Sequence, residues 1–197
     1  MSVTVMAYDA WMARWEPGAA GRLRKAAVEL FAEQGMEETT VADIAARAGV
    51  TERTFFRHFA DKREVLFSPQ DDFAAVFIEP MRQAPAGATP LQVVRAGLQG
   101  STSFFPTERR PGSRVRAGVI AAHPALRERE LLKMDDLAER MAATLRDRGV
   151  GEPAATLAAR SGTAVFSAAF GAWLADGETR ELAELLDEGL AELSALR

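Results

Sequence analysis

The residues best suited to chemistry lie between Thr40 and Lys62, in the run TVADIAARAGVTERTFFRHFADK. Thr51, Glu52, Arg53, Thr54, Phe56, Arg57 and His58 fall in one short stretch, with Thr40 and Lys62 on either side. Their types suit recognition rather than bond making. The arginine fork matches O6 and N7 of guanine, and Arg53 is placed best for that contact. Glu52 can accept from a cytosine amino group or simply favour a helix N-terminus. Threonine hydroxyls and the lysine ammonium are donors for phosphate oxygens. Between positions 47 and 63 the bases are Arg47, Arg53, Arg57, Lys62 and Arg63, and the acids are Glu52 and Asp61. The segment is locally basic in a chain of net charge −4, and that asymmetry is what phosphate binding requires.

Two short helices must carry these residues. Thr40 with Asp43 reads as a capping box, Ile44, Ala45 and Ala48 give an apolar face, and Gly49 supplies a left-handed stop. Thr51 caps the next helix, with Val50 as a staple onto Phe55, and Asp61 with Glu64 repeats the box for a further helix. Such punctuation is that of a helix-turn-helix, whose second helix enters a DNA major groove. Upstream, Leu23, Ala26, Ala27, Leu30 and Phe31 mark a bracing helix from about Ala19 to Gln34, stopped at Gly35 with Met36 folding back onto Phe31. Residues 1 to 18 form an arm in which Trp11, Arg14 and Trp15 stand out.

Downstream the pattern predicts a long connecting helix from Asp61, kinked or interrupted at Pro69 and Pro80, and a loop from Pro85 to Pro90. Further helices are expected from Leu91 to Phe105, Val115 to Ala122, Pro124 to about Arg148 and Ala154 to Ala175, before a final leucine-rich one. Residues 19–66 then form a DNA-binding domain and 67–197 a ligand-binding and dimerisation domain. No segment alternates with period two, so the fold class is all-α. Ala158, Gly162, Val165, Ala169 and Trp173, with Leu182, Leu186, Gly189 and Leu193, form apolar lines expected to make a dimer interface. Phe73, Phe77, Met81, Phe104, Met134, Met141, Phe166 and Phe170 could line a ligand pocket, although such residues also fill any bundle interior. Arg109, Arg110, Arg114 and Arg116 read as a solvated loop that could also meet an anionic head group.

Enzyme chemistry finds no support. There is no cysteine, there are only two histidines, and no nucleophile–base pair or phosphate-cradling glycine loop is present. Asp71-Asp72 and Asp135-Asp136 are adjacent pairs, which on a helix do not face one another. No cofactor or metal is expected. No apolar run approaches the roughly 20 residues a membrane span needs, so a cytoplasmic protein without a membrane partner is expected.

The segments AAVELFAEQG, TTVADIAARAGVTERTFFRHFADK and EVLF resemble the TetR family of bacterial transcriptional regulators. That resemblance implies nine to ten helices, an N-terminal DNA-binding domain, and a larger domain for ligand binding and dimerisation. Thr40 resembles the family's backbone-contacting threonine and Lys62 its phosphate-binding lysine. Phe56 stands where the family usually carries a tyrosine whose hydroxyl touches phosphate, a bond phenylalanine cannot donate. In the second half, SRVRAGVIAAHPALRERELL, LRDRGV and VFSAAFGAWL resemble members with an acyl-CoA-like ligand-binding domain. The function so implied is a homodimeric regulator, a repressor released from a palindromic DNA operator by a small hydrophobic or acyl-CoA-like effector. An activator, a dual regulator, or an acyl-binding protein with a vestigial helix-turn-helix are the alternatives.

Overall fold

In the computed structural model, which describes residues 18–67 and 69–196, every regular element is helical. Trp11, Arg14 and Trp15 of the expected arm lie outside the described residues. Helix α1 (Ala19–Gln34) buries Leu23, Ala26, Ala27, Leu30 and Phe31, the face its periodicity predicts. It ends at Gly35, with φ 84° and ψ 160°, and Met36 is buried in the same core as Phe31. Helix α2 (Val41–Arg47) starts at the reciprocal Thr40–Asp43 capping box. Gly49 at φ 66° closes it in a Schellman arrangement, in which Val50 N–H donates to Ala45 O and Gly49 N–H to Ala46 O. Helix α3 (Glu52–His58) begins at Thr51, whose hydroxyl accepts from Thr54 N.

The described residues divide into two compact units, of which the first holds 18–67 together with Pro111–Glu128. The predicted boundary at 66/67 did not anticipate the second piece. Val119, Ile120 and Leu126 belong there because they share one buried core with Leu23, Phe31, Ile44, Phe55 and Phe59. Nor does a long helix start at Asp61. That carboxylate caps Arg63 N and Glu64 N at 2.8 Å, but only a 3-10 turn follows (Glu64–Leu66). The regular helix α4 (Gln70–Gln83) begins after Pro69.

In the second unit (Pro69–Arg110 and Arg129–Arg197), Pro80 sits inside α4 without ending it. Helix α5 (Pro90–Ser101) starts one residue before the predicted position, at a Thr89–Gln92 capping box with proline in the first turn. It packs very closely on α4. A Cβ at Gly97 would lie 2.9 Å from Phe77 O, and one at Gly100 would lie 2.6 Å from Val76 O and 2.3 Å from Pro80 Cγ. Val76 O is the carbonyl that Pro80, lacking an N–H, cannot satisfy. Helix α6 (Arg110–Ala122), which apart from Arg110 belongs to the first unit, begins earlier than its apolar pattern predicts, since Pro111 is tolerated in a first turn. Helices α7 (Pro124–Asp147), α8 (Ala154–Trp173) and α9 (Leu182–Ala195) complete nine α-helices among the described residues.

The predicted dimer seam is corrected by its burial. Ala158, Gly162, Val165, Ala169, Trp173, Leu182 and Leu186 are all buried within the subunit, and Gly189 and Leu193 are partly so. Small residues do permit close approach here, but to the chain itself. A Cβ on Gly162 would stand 2.5 Å from Val94 Cγ1 of α5, and one on Gly189 would stand 3.0 Å from Val165 Cγ1.

Two outcomes follow from this packing. Gly100→Ala overfills a contact with immovable backbone, so despite alanine's helix propensity it should lower unfolding free energy by about 1–3 kcal/mol in urea titrations. Between α8 and α9, the Arg180 guanidinium and backbone N–H groups hold the Glu178 carboxyl down from the ordinary 4.5 to about 2. Because the folded value is depressed, its stabilisation is present above pH 4.5 and disappears as pH falls towards 2. Glu178→Gln should therefore flatten the acid limb of thermal melts in that window and leave the shape of the neutral-pH profile alone.

Candidate nucleic-acid interface

Helix α3 has one buried edge and one open face. Phe55 and Phe59 are buried, with ring centroids 5.5 Å apart, and they anchor the helix to the first unit's core. Opposite them Glu52, Arg53, Phe56, Arg57 and His58 are exposed, while Thr54 is half-buried. Thr51 and Thr54 hydroxyl oxygens lie 3.1 Å apart, closing the first turn. His58 is exposed, and its Nε2 lies 3.5 Å from Arg57 Nη2 at the end of the helix. Phe56 is 56% exposed, held edge-on against Phe55 at 5.4 Å.

What fixes this helix is a set of contacts that sequence reading missed or misassigned. Lys62, expected at a helix start and facing phosphate, turns back instead. Its ammonium donates to Met36 O, Glu37 O and Thr39 O at 2.8, 3.3 and 3.0 Å. An ammonium has three protons, and three carbonyls receive them. Thr39 is fully buried, and its hydroxyl donates to Gly35 O at 2.7 Å, which locks the same loop from inside. Thr40 is occupied likewise, donating to Asp43 Oδ2 at 2.6 Å while accepting from Asp43 N; the hydroxyl's bond, then the backbone N–H, lowers the carboxyl's pKa. Arg47, counted among the phosphate-facing bases, is held by Glu33 in a two-pronged pair and by Glu29 at 3.6 Å. Arg22 Nε caps α2 by donating to Ala48 O at 3.0 Å. The cations on the open face are Arg53 and Arg57, with exposed Arg63 just beyond.

The pocket candidates all fall in the second unit. Phe77, Met81, Met141 and Phe166 are buried, and Phe73, Phe104, Met134 and Phe170 are partly buried. Phe73, Phe77, Phe104, Phe166 and Phe170 join one ring network, which also takes in Phe105 and Trp173, absent from the predicted lining. Arg109 and Arg110 are not a solvated loop. Both are buried: Arg109 stacks on Phe104, and Arg110 lies 4.9 Å from the Trp173 ring while donating to Glu178 O and Arg180 O. Arg110 Nε and Trp173 Nε1 are buried donors with no acceptor among the described residues. Arg116 lies in the first unit, donating to Leu66 O at 2.7 Å. A separate shallow groove of about 250 Å³ runs between α7 and α8, lined by Leu131, Met134, Asp135, Ala138, Arg160, Thr163, Ala164 and Ser167. Among the described residues no cluster of three acidic or histidine side chains could hold a metal ion, and no helix is long and apolar enough to cross a membrane.

A capped, outward-facing, cation-bearing helix α3, set on α1 and α2 after the tight turn at Gly49, defines a helix-turn-helix protein. Residues 23–68 match the family described as bacterial regulatory proteins, tetR family, and residues 88–196, over half of the chain, match the MftR C-terminal domain. The chain belongs to the TetR family of bacterial regulatory proteins. The transcriptional regulator TcmR of Streptomyces glaucescens is 45% identical over 78 residues, 40% of this chain and 34% of that protein. The repressor KstR2 of Mycobacterium tuberculosis is 44% identical over 46 residues, 23% of each chain. The chain thus spans about a third or less of the length of these curated relatives. Among solved structures, Thermus thermophilus FadR, a repressor in complex with lauroyl-CoA, aligns at TM-score 0.50 and 25% identity over 90% of this chain and 96% of that one. Bacillus subtilis FadR with stearoyl-CoA gives TM-score 0.58 over 88% and 97% of the two chains, and at 19% identity it supports the fold alone. These relatives are transcriptional regulators, not enzymes.

The latch separates Lys62 from the open-face arginines experimentally. Lys62→Met should cost the protein about 2 kcal/mol in chemical unfolding, the scale of lost bonds to a charged donor. In salt titrations of duplex binding, Arg57→Ala should reduce the slope of log K against log [salt] by about 0.9 per subunit. Lys62→Met should leave that slope near the wild-type value. An equal loss of slope in both variants would show that Lys62 leaves its carbonyls for phosphate.

Proposed function

We propose that this protein is a homodimeric, ligand-responsive transcriptional repressor that binds a palindromic operator through α3. The observation that carries the reading is the exposed Arg53–Phe56–Arg57 face on a helix whose other edge is buried. Each subunit would set that face into one major groove, with Thr51, Glu52, Thr54 and His58 beside it and Thr40 and Arg63 towards the backbone. A symmetric dimer reads a symmetric site, so the operator is a palindrome.

For the dimer, the outward side of α8 takes the role first assigned to its inward side. Leu157, 62% exposed, Ala164, Ala168 and Gly171 share that face, and Leu131 across the groove is 70% exposed. Small side chains beside exposed leucines suit close packing against a second copy.

The effector is a hydrophobic molecule with a polar or anionic acceptor, of the acyl-CoA kind. Its place is the aromatic cluster of Phe73, Phe104, Phe105, Phe170 and Trp173, where Arg110 Nε and Trp173 Nε1 offer buried donors. The lauroyl-CoA complex of the Thermus thermophilus repressor supports that class of ligand. Binding there releases DNA if the ligand prefers a dimer whose two α3 helices no longer match both half-sites.

Selection from random duplexes should return an inverted repeat, and long-chain acyl-CoA should lower affinity for it. Light scattering should give twice the 21.3 kDa chain mass, falling towards one chain in Ala168→Glu with loss of operator binding. A monomeric wild-type protein that selects no palindrome would sink this reading.

A further inference from the structure

We infer that Phe56 is a specificity-determining residue that reads the 5-methyl group of a thymine in each half-site. The inference rests on α3 being the DNA-reading helix and names one base feature that it reads. Three observations carry it. Phe56 is 56% exposed on a helix whose other aromatic residues, Phe55 and Phe59, are buried at 0% and 5%. Its ring meets Phe55 edge to face at 5.4 Å with an interplanar angle of 81°, so one side rests on the core while the rest is open. Its neighbours on the open side are charged. Arg53 lies one turn earlier and Arg57 is next in sequence, and both are exposed.

A phenyl ring has no hydrogen-bonding group, so it can neither donate to a phosphate nor pair with a base edge. Placed between two arginines aimed at a polyanion, it still meets the DNA. In the major groove the one apolar feature that differs between base pairs is the thymine methyl. Burying that methyl against the ring removes two exposed apolar surfaces from water at once, whereas guanine or cytosine at the same position would set polar groups against the phenyl face. The ring therefore favours thymine by what it covers and disfavours the alternatives by what it leaves unpaired. Deoxyribose packing, the other contact open to such a ring, carries no base information and would not depend on the methyl.

The experiment replaces each thymine of the selected operator, one symmetric pair at a time, with deoxyuridine, which removes only the methyl. One position per half-site should weaken wild-type binding about four-fold per methyl, the value of one buried carbon. In Phe56→Ala the same uracil substitution should have no effect, while sensitivity at guanines assigned to Arg53 persists. Insensitivity of the wild type at every thymine would overturn the proposal while leaving the regulator reading intact, and points to deoxyribose packing. A methyl effect that survives in Phe56→Ala would overturn it also. Failure of the protein to bind any duplex would overturn both readings together. The wild-type measurement needs no variant, so a folding defect in Phe56→Ala cannot shield the proposal.

Discussion

A single ammonium group bonded to three main-chain carbonyls sets the geometry of the first unit. Lys62 follows α3 in the chain, and Met36, Glu37 and Thr39 precede α2, so the bonds tie the segment leaving the reading helix to the segment entering the one before it. Carbonyls at and beyond a helix end lack intrahelical donors, and a cation is the strongest donor available to them. Thr39 seals the loop from the buried side, Arg22 caps α2, and Arg47 joins α2 to α1 through Glu33 and Glu29. Every one of these contacts braces the frame rather than facing outward. The face of α3 can then be both rigid and unpartnered, as pre-organised recognition of DNA requires.

This division of labour alters how the basic segment is read. Summed along the sequence, five cations face two acids. Summed in space, Arg47 is paired with Glu29 and Glu33 and Lys62 is directed onto main-chain carbonyls, so the open face is left with Arg53, Arg57 and Arg63. Phe56 is the one large apolar side chain of α3 that the core does not take.

The second unit shows the same rule with small residues in place of charges. Gly97, Gly100 and Gly162 bring α4, α5 and α8 to within side-chain-free distances, and Gly189 seats α9 on Val165. The seam read as an interface between subunits is thereby an interface between helices of one subunit. Arg109 and Arg110 are drawn inward over Phe104 and Trp173, which places cationic groups at the edge of an aromatic cluster instead of in solvent.

Local rules settle local things, and these the sequence determined unaided. Thr40 with Asp43, Gly49 with Val50, and Thr51 mark helix ends because their bonds close within a few residues. Periodicity identified the buried faces of α1 and α3 for the same reason, and the motif carried the family. Tertiary structure alone decided what each polar or small side chain is for. The partners of Lys62 lie 23 to 26 residues away in the chain, those of Arg110 68 and 70 residues away, and Gly162 meets Val94. A spacing pattern can show that a residue faces one side of its helix, but not whether its own chain or another molecule waits there. That is why α3 was legible as the reading helix while Lys62, and the inner face of α8, were assigned to the wrong neighbour.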